Sequence, residues 1–204
     1  RPHKELSELL LSKSKDNLIA ILTDLLTAYI NDKNSSSLRE YVTVSIAGYQ
    51  HNPNKLGYNG YKQSSAIGGK SISCEAKPKN IQTEGYESKK TKSKLNGEGG
   101  FNDYTLERLE KDAKVNLNIL SSGFIDGELQ YILEFPFKAV YERLKKQLPE
   151  KRVKGTYTRM ATFNFSHYQE LKSLKAIYLN KTSIERNKRY FNKKFFTYLM
   201  GYEV

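Results

Sequence analysis

A glutamate and a lysine stand two residues apart in the segment SISCEAKPKN, residues 71–80. The segment alternates apolar and polar residues, which is typical of a β-strand. Because successive side chains of a strand point to opposite faces, Glu75 and Lys77 share one face of it. A carboxylate can bind a divalent metal ion, and an ammonium group can stabilise negative charge. The pair therefore suits chemistry at a phosphate ester, although an ordinary ion pair on an exposed strand has the same pattern.

The residues before this segment predict its hairpin partner. Within 56–77 a strand around LGYNGYKQ is followed by a turn near AIGG and by the strand that runs back. This turn places Asn59 opposite Lys77. It also places Tyr61 opposite Glu75, so that the four side chains share one face. An Asn-Gly pair is also a favoured two-residue turn, and Asn59 can instead serve only to bend the chain.

Hydrolysis of a phosphodiester bond requires a neutralised phosphate and a water nucleophile. Mg²⁺ held by two carboxylates provides both and leaves positions open for water and a phosphate oxygen. In this interpretation Glu75 and the carbonyl oxygen of Ala76 bind the metal ion. Lys77 holds the attacking water or stabilises the negative charge at the phosphorus.

These motifs resemble those of the PD-(D/E)XK nuclease superfamily. The resemblance lies in GYNGY, whose Asn59 precedes the Glu75 of EAK by sixteen residues, on a hairpin after an N-terminal helix and a first strand. Within the superfamily, EAKPKN, GGFNDYT and SGFIDGELQYILEFPF look most similar to type II restriction endonucleases. The resemblance covers about residues 41–137. It implies that Glu75 is an acidic metal ligand and that Lys77 is the catalytic lysine.

Position 59 departs from the pattern of this superfamily, which usually has aspartate there. Asparagine offers a neutral oxygen and lacks the charge that Mg²⁺ prefers. Either the chain is an inactivated nuclease, or another acid serves as the second ligand, with Glu40 as the candidate. We favour the inactivated form, because the exchange conserves shape and leaves the fold intact. An inactivated enzyme would gain Mg²⁺-dependent cleavage on the substitution Asn59→Asp.

The whole chain is strongly basic, with 34 Lys and Arg against 22 Asp and Glu and a net charge of +12. Such a surplus attracts polyanions, so nucleic acid is the expected partner, although a lysine-rich solvated surface has the same composition. One cysteine excludes an internal disulfide, and three scattered histidines lack the spacing of a metal site. Because the sequence contains neither a long apolar run nor a signal-peptide pattern, we expect a cytoplasmic protein of a bacterial cell.

Two basic segments are candidates for contact with DNA. SKKTKSK precedes the glycine-rich NGEGG, and SIERNKRYFNKKFFTYLM lies near the end of the chain. Lysine and arginine can hold phosphates, and an asparagine at the start of the next helix can either touch a base edge or cap that helix. The aromatic residues of the second segment have helical spacing and are expected in the core. The candidate DNA-binding residues are Lys89, Lys90, Lys92, Lys94, Asn96, Asn102, Arg186, Arg189 and Lys193.

The order of predicted elements indicates an α/β fold with a central mixed sheet flanked by helices. Apolar spacing predicts a helix over 16–31, and alternation predicts a first strand over 41–49. A helix capped by Asn102 or Asp103 follows, and then a hairpin signalled by Asp-Gly at 126–127. Further along, KAVYERLKKQL predicts a helix, TYTRMATFNFSHY a strand, and the last basic segment a helix.

The sequence favours a sequence-specific, Mg²⁺-dependent endonuclease that hydrolyses both strands of duplex DNA at a short site. The resemblance implies a homodimer whose two-fold axis matches a palindromic site. Two alternatives stay open: a non-catalytic nucleic-acid-binding protein, and a structure-selective repair nuclease on the same scaffold. We expect one nuclease domain over 1–204, with a catalytic core at about 41–137 and a basic C-terminal segment at 150–204.

Overall fold

A computed structural model describes residues 11–31, 36–52, 57–63, 69, 71–148 and 158–202 of the chain. Its strands are β1 (Gln50–His51), β2 (Gly60–Lys62), β3 (Ile72–Ile81), β4 (Gly99–Tyr104), β5 (Asn118–Ile125), β6 (Glu128–Pro136), β7 (Thr158–Phe163) and β8 (Lys175–Leu179). Its helices are α1 (Lys15–Asn31), α2 (Ser36–Ile46), α3 (Leu106–Val115), α4 (Lys138–Lys145), α5 (Lys181–Arg186) and α6 (Lys193–Gly201). Within the described ranges, the helices are too short or too polar to cross a membrane.

A mixed six-stranded sheet in the order β1-β2-β3-β5-β6-β8 forms the centre of the fold. The first three strands form an antiparallel meander, and β5, β6 and β8 are also antiparallel to one another. Strands β3 and β5 are parallel, and α3 lies in the crossover that a parallel pair requires. The predicted α/β class, with a mixed central sheet flanked by helices, is confirmed.

Strands β4 and β7 form a separate two-stranded antiparallel sheet, which we call the ribbon. The ribbon is attached through its inner side chains. Phe101 and Tyr104 of β4, and Ala161 and Phe163 of β7, are all buried in the larger of two hydrophobic clusters. The ribbon is therefore fixed to the body of the protein although it lies outside the main sheet.

The two faces of the main sheet bury different hydrophobic clusters. The larger cluster includes Leu109 of α3, Val140 of α4 and Phe195 of α6. The smaller cluster lies against α2 and contains Val44, Ala47, Tyr49, Cys74, Ala76, Leu120 and Ile132. Because β5 and β6 are covered on both faces, their residues are buried nearly without interruption, as expected for central strands.

The strand predicted over 41–49 is wrong, because most of this segment belongs to α2. Its alternating β-branched residues suit a strand, but Thr43 and Val44 are buried side by side against the sheet. The Thr43 hydroxyl forms a 2.6 Å hydrogen bond with the Ser122 hydroxyl of β5. Packing against the sheet thus overrides the local preference of these residues.

Several other predicted elements are confirmed. The helix expected over 16–31 is α1, and KAVYERLKKQL forms α4. Asp126 and Gly127 connect β5 and β6 with positive φ angles of 48° and 83°, as a tight hairpin turn requires. Residues 158–163 of TYTRMATFNFSHY form β7.

Two expectations about helix ends are corrected. Asn102 and Asp103 do not cap α3; they lie in β4, and the Thr105 side chain caps the helix by accepting from Arg108 N. The last basic segment is not one helix but α5, a 3-10 turn and α6. Asn192 begins α6, because its side chain accepts hydrogen bonds from the first turn of that helix.

Candidate functional site

The pairing of β2 with β3 differs from the predicted register by two residues. Tyr61 pairs with Ser73 rather than with Glu75. Asn59 lies beside Glu75, and its backbone nitrogen donates a 2.9 Å hydrogen bond to the carbonyl oxygen of Cys74. A shift of two residues does not by itself change which side of the sheet a strand residue faces. The turn predicted near AIGG lies, apart from its last residue, outside the described residues.

The Asn59 side chain joins three parts of the fold. Its Oδ1 accepts a 2.8 Å hydrogen bond from the backbone nitrogen of Ala76 in β3. Its Nδ2 donates a 3.1 Å hydrogen bond to Oε2 of Glu40 in α2. The Asn59 side chain thus adds one hydrogen bond to those that join β2 and β3. It also holds the Glu40 carboxylate of α2 near the end of β2.

The Asn59-Gly60 pair does not form the two-residue turn that was the alternative explanation. Gly60 belongs to β2, and neither residue has the positive φ that this turn requires. A side chain at Gly60 would collide with Val44 of α2. Gly60 therefore allows the close approach of α2, which brings Glu40 to Asn59.

Glu75 and Lys77 form a mostly buried ion pair. Lys77 Nζ lies 2.7 Å from Glu75 Oε1, and the two side chains are only 16% and 15% exposed. The Lys77 ammonium also lies 3.8 Å from the ring centroid of Phe101, within the range of a cation–π interaction. The pair differs from a solvated surface ion pair, because water is largely excluded from both groups.

Asp112 of α3 is a further acidic residue near this pair that the sequence reasoning missed. Its Oδ2 accepts a 2.9 Å hydrogen bond from the Tyr104 hydroxyl and lies 3.9 Å from Arg108 Nε. Burial raises the pKa of Asp112, and the negative charge of Glu75 adds to this effect. The helical spacing offered a signal, because Asp112 follows the buried Leu109 by three residues and so lies on the inner face of α3.

A cleft of about 700 Å³ opens beside the ion pair. Glu40, Ala76 and Lys77 line this cleft together with ribbon residues, among them Phe101 and Met160. Its charged side chains are balanced, with three acidic and three basic residues: Glu40, Glu98, Asp103, Lys77, Lys79 and Arg108. The surplus positive charge of the protein therefore lies mostly outside the cleft.

Gly99 lets the ribbon pass directly beside Lys77. A Cβ atom at Gly99 would lie 2.8 Å from Lys77 Cβ and would collide with the Phe163 ring. The next glycine, Gly100, has room for a Cβ, since its nearest neighbours would be 3.4 Å or more away. Close contact between the ribbon and β3 thus depends on one glycine.

The two basic segments expected to bind DNA are neighbours in the fold. The backbone of Leu95 exchanges hydrogen bonds with Tyr190 O at 2.8 Å and with Asn192 N at 2.9 Å. Glu87 is ion-paired with both Lys92 and Arg189. Residues 88–94 and 188–194 consequently contribute to one surface, which we call the basic surface.

The remaining candidate DNA-binding residues have different surroundings. Lys89, Lys90, Lys94 and Lys193 are exposed. Arg186 is bound at 3.0 Å to Glu128 of β6, and Asn96 is half-buried and accepts a backbone hydrogen bond from Phe165. Asn102 is exposed on the ribbon.

The aromatic residues near the end of the chain lie in the core, as the helical spacing predicted. Tyr190, Phe191 and Phe195 are buried, and Phe196 packs against them. These rings are not available for stacking on nucleic-acid bases.

Hydrogen bonds link three of the four residues expected to bind a metal ion, and only two of the four are acids. Glu40, Asn59 and Ala76 are linked by hydrogen bonds, and Glu75 is the neighbour of Ala76 in β3. Over the ranges that the structure describes, no group of three or more His, Cys, Asp or Glu residues is arranged to hold a metal ion. No protein-family model matches the chain, and no curated protein matches it.

Proposed function

We propose that this protein is a Mg²⁺-dependent endonuclease with a restriction-endonuclease-like core, which cleaves duplex DNA at a specific site. One observation carries the proposal: the Asn59 amide bonds to Glu40 and to the backbone of Ala76, the residue between the ion-paired Glu75 and Lys77, and both Glu40 and Lys77 line an open cleft. The group contains two carboxylates, an amide and an ammonium. This set of groups suits hydrolysis of a phosphodiester bond.

The position of Glu40 supports a functional site rather than an inactivated one. Both ends of the Asn59 amide are engaged, one with Ala76 N and the other with Glu40 Oε2. Asn59 is then a positioning residue that orients Glu40. Glu40 supplies the negative charge that an aspartate at position 59 would have contributed.

The oxygen atoms of this site fit Mg²⁺, which commonly binds through one or two carboxylates together with water and substrate phosphate. Glu40, Glu75 and the carbonyl oxygen of Ala76 would hold the ion. When bound, it would neutralise the scissile phosphate and lower the pKa of a water molecule.

Lys77 would supply the positive charge of the active site. Its ammonium is held between Glu75 and the Phe101 ring, and it lines the cleft in which the phosphate would lie. A mostly buried charge acts more strongly on its neighbours than a solvated one, because water screens it less. Lys77 would orient the attacking water or stabilise the charge that develops on the phosphate.

Burial of the ion pair argues against a purely DNA-binding role. Removing two charges from water costs free energy, which a buried pair often does not recover in stability. A protein that only binds DNA has no need of such a pair at the wall of a cleft. The exposed lysines of the basic surface supply contacts to phosphates, and a second copy of the chain would supply the second active site needed to cut both strands.

Cleavage of supercoiled plasmid DNA tests the proposal. With Mg²⁺ we expect discrete linear fragments, and with Ca²⁺ or EDTA we expect none. The Lys77→Ala variant should lose at least a hundredfold in rate, within the range typical of general acid–base and electrostatic groups. The exposed Lys175 of β8, at the opposite edge of the sheet, provides a control of equal charge change as Lys175→Ala.

Three results would contradict the proposal. Binding to DNA without cleavage under any of these conditions would favour the non-catalytic protein. Nicking restricted to branched or frayed DNA would favour a repair nuclease. Equal rates for Lys77→Ala and Lys175→Ala would remove Lys77 from the active site.

A further inference from the structure

We propose that the ribbon reads the base sequence of duplex DNA through four exposed side chains, Asn102, Asp103, Arg159 and Met160, which we call the ribbon tip. This inference rests on the proposed function, because it assigns the part of the protein that would select the site to be cut. It concerns residues that are separate from the acids and the lysine of the active site.

The ribbon tip interrupts the regular alternation of a half-buried strand. In β4 the consecutive residues Asn102 and Asp103 are both exposed, and Asp103 has a positive φ of 48°. In β7 the consecutive residues Arg159 and Met160 are also both exposed. A non-glycine residue with positive φ within a strand changes the direction of its side chain, as a β-bulge does. Four side chains are thus turned outward at one place.

The inner side of the same ribbon is rigidly held. Phe101 is stacked on Tyr104 with ring centroids 4.6 Å apart, and Phe135 packs edge-on against Phe163 at 5.8 Å. Arg108 of α3 donates a 3.0 Å hydrogen bond to the carbonyl oxygen of Asn102. A recognition element has to be fixed in this way, since mobile side chains lose more entropy on binding.

The chemistry of the four side chains fits base edges in the major groove, which is wide enough for a two-stranded β-ribbon. An asparagine amide can pair with adenine, and an arginine guanidinium can pair with guanine. A carboxylate can accept from cytosine N4, and an apolar group can contact the thymine methyl. Met160 is 56% exposed, so its apolar side chain is free of protein contacts over much of its surface and could pack against a thymine methyl group.

The position of the tip fits a role beside the scissile phosphate. Phe101, in contact with the Lys77 ammonium, is the immediate neighbour of Asn102. Tip residues line the cleft, and they also line an adjoining hollow of about 820 Å³. The base pairs read by the tip should therefore lie close to the cleaved bond.

The position of the tip, and not its composition, favours DNA over a second protein chain. Aspartate is depleted at protein interfaces, but arginine and methionine are enriched there, whereas the tip lines the cleft of the proposed nuclease. Use of the ribbon as a contact between two copies of the chain is the competing outcome of the test.

Selection of bound duplexes from a random-sequence library, with Ca²⁺ in place of Mg²⁺, tests the inference without requiring cleavage. The natural chain should enrich a short consensus. Asn102→Ala and Arg159→Ala should each remove the preference at one base pair, with a loss of about 5- to 150-fold in discrimination there. Arg159→Lys should bind random duplex like the natural chain but lose the same preference, because lysine lacks the planar fork of arginine.

Two control variants separate base reading from other effects. Lys193→Ala, on the basic surface, should weaken binding to all sequences alike and leave the consensus unchanged. Lys175→Ala should change neither quantity. Thermal melting confirms that each variant is folded, and all substituted side chains are exposed.

The possible outcomes distinguish this inference from the proposed nuclease. A consensus that loses one position in the tip variants, in a protein that never cleaves, would support the ribbon and contradict the nuclease. Enrichment without any consensus, or a consensus that the tip variants leave unchanged, would overturn the ribbon. Conversion of a dimer to a monomer by the tip variants, with the consensus unchanged, would assign the ribbon to an interface between copies.

Discussion

Asn59 Nδ2 lies 3.1 Å from Glu40 Oε2, so that an amide from the end of β2 is bonded to a carboxylate from a different element, α2. The same amide accepts from Ala76 N in β3 at 2.8 Å. These two bonds connect the carboxylate of Glu40 to the backbone of β3 next to Glu75. In the proposed nuclease, Asn59 would orient Glu40, and Glu40 would be the second acid.

Glu40→Gln tests that assignment with almost no change in shape. The variant conserves an oxygen atom but removes the charge, and we expect at least a hundredfold slower cleavage of plasmid DNA with a higher Mg²⁺ requirement. Glu142→Gln, an exposed acid of α4, serves as the matched control. Cleavage by Glu40→Gln at the natural rate would show that this carboxylate has no part in the reaction.

Asn59→Asp separates the two explanations of the unusual residue. Aspartate cannot donate to Glu40, and the two carboxylates would repel each other. We expect the free energy of unfolding in EDTA to fall by about 1.5–3 kcal/mol, the range for a lost hydrogen bond to a charged group. The measurement is urea denaturation, followed by plasmid cleavage in Mg²⁺, which should not increase by orders of magnitude. An increase of that size would identify the natural chain as an inactivated nuclease.

Gly99→Ala and Gly100→Ala form a matched pair of substitutions. A Cβ at position 99 would lie 2.8 Å from Lys77 Cβ, whereas at position 100 the nearest atoms are 3.4 Å or more away. Overpacking of this kind costs about 1–3 kcal/mol. We expect Gly99→Ala to destabilise the fold by this amount and to slow cleavage, with Gly100→Ala much closer to the natural protein. If the two variants have the same denaturation curves and the same cleavage rates, the close contact between Gly99 and Lys77 is contradicted.

The raised pKa of Asp112 predicts a pH-dependent effect on stability. The folded state favours the protonated form of Asp112, so this group stabilises the protein at low pH. The stabilisation is lost as the pH rises from the pKa of an unfolded aspartate, about 3.9, through the raised pKa of the folded state. Asp112→Asn conserves an acceptor for Tyr104 and never becomes charged. Urea denaturation of both proteins measures the effect. From acid toward neutral pH, the free energy of unfolding of the variant should rise relative to that of the natural protein. A difference that does not vary with pH would contradict the prediction.

Local patterns predicted much of the fold and the candidate site. The alternation around Glu75 identified β3, the Asp-Gly pair identified the hairpin of β5 and β6, and apolar spacing identified α1. The strand that carries Glu75 and Lys77 was identified in spite of an error of two residues in its register with β2, because an even shift does not change which side of the sheet a strand residue faces. Such features are encoded by neighbours in sequence.

What the sequence did not predict depends on contacts between distant residues. The segment of α2 has the composition of a strand, and its burial against the main sheet favours a helix. The pairing of β4 with β7 joins residues more than fifty positions apart, such as Asn102 and Met160. The approach of Asp112 to Glu75 requires α3 to be placed against β3 by the crossover. Helical spacing indicates which face of α3 carries Asp112, but no local pattern specifies any of these contacts between distant elements.

The separation of the ribbon from the main sheet has a consequence for evolution. The outward residues Asn102, Asp103, Arg159 and Met160 belong to the ribbon and the Glu75–Lys77 pair to the main sheet, while Gly99 allows the two regions to lie in close contact. Mutation can therefore alter the four outward residues in descendants of this chain while the acids and the lysine stay unchanged. Related proteins would then diverge in target preference faster than in chemistry, with Gly99 among the last positions to vary.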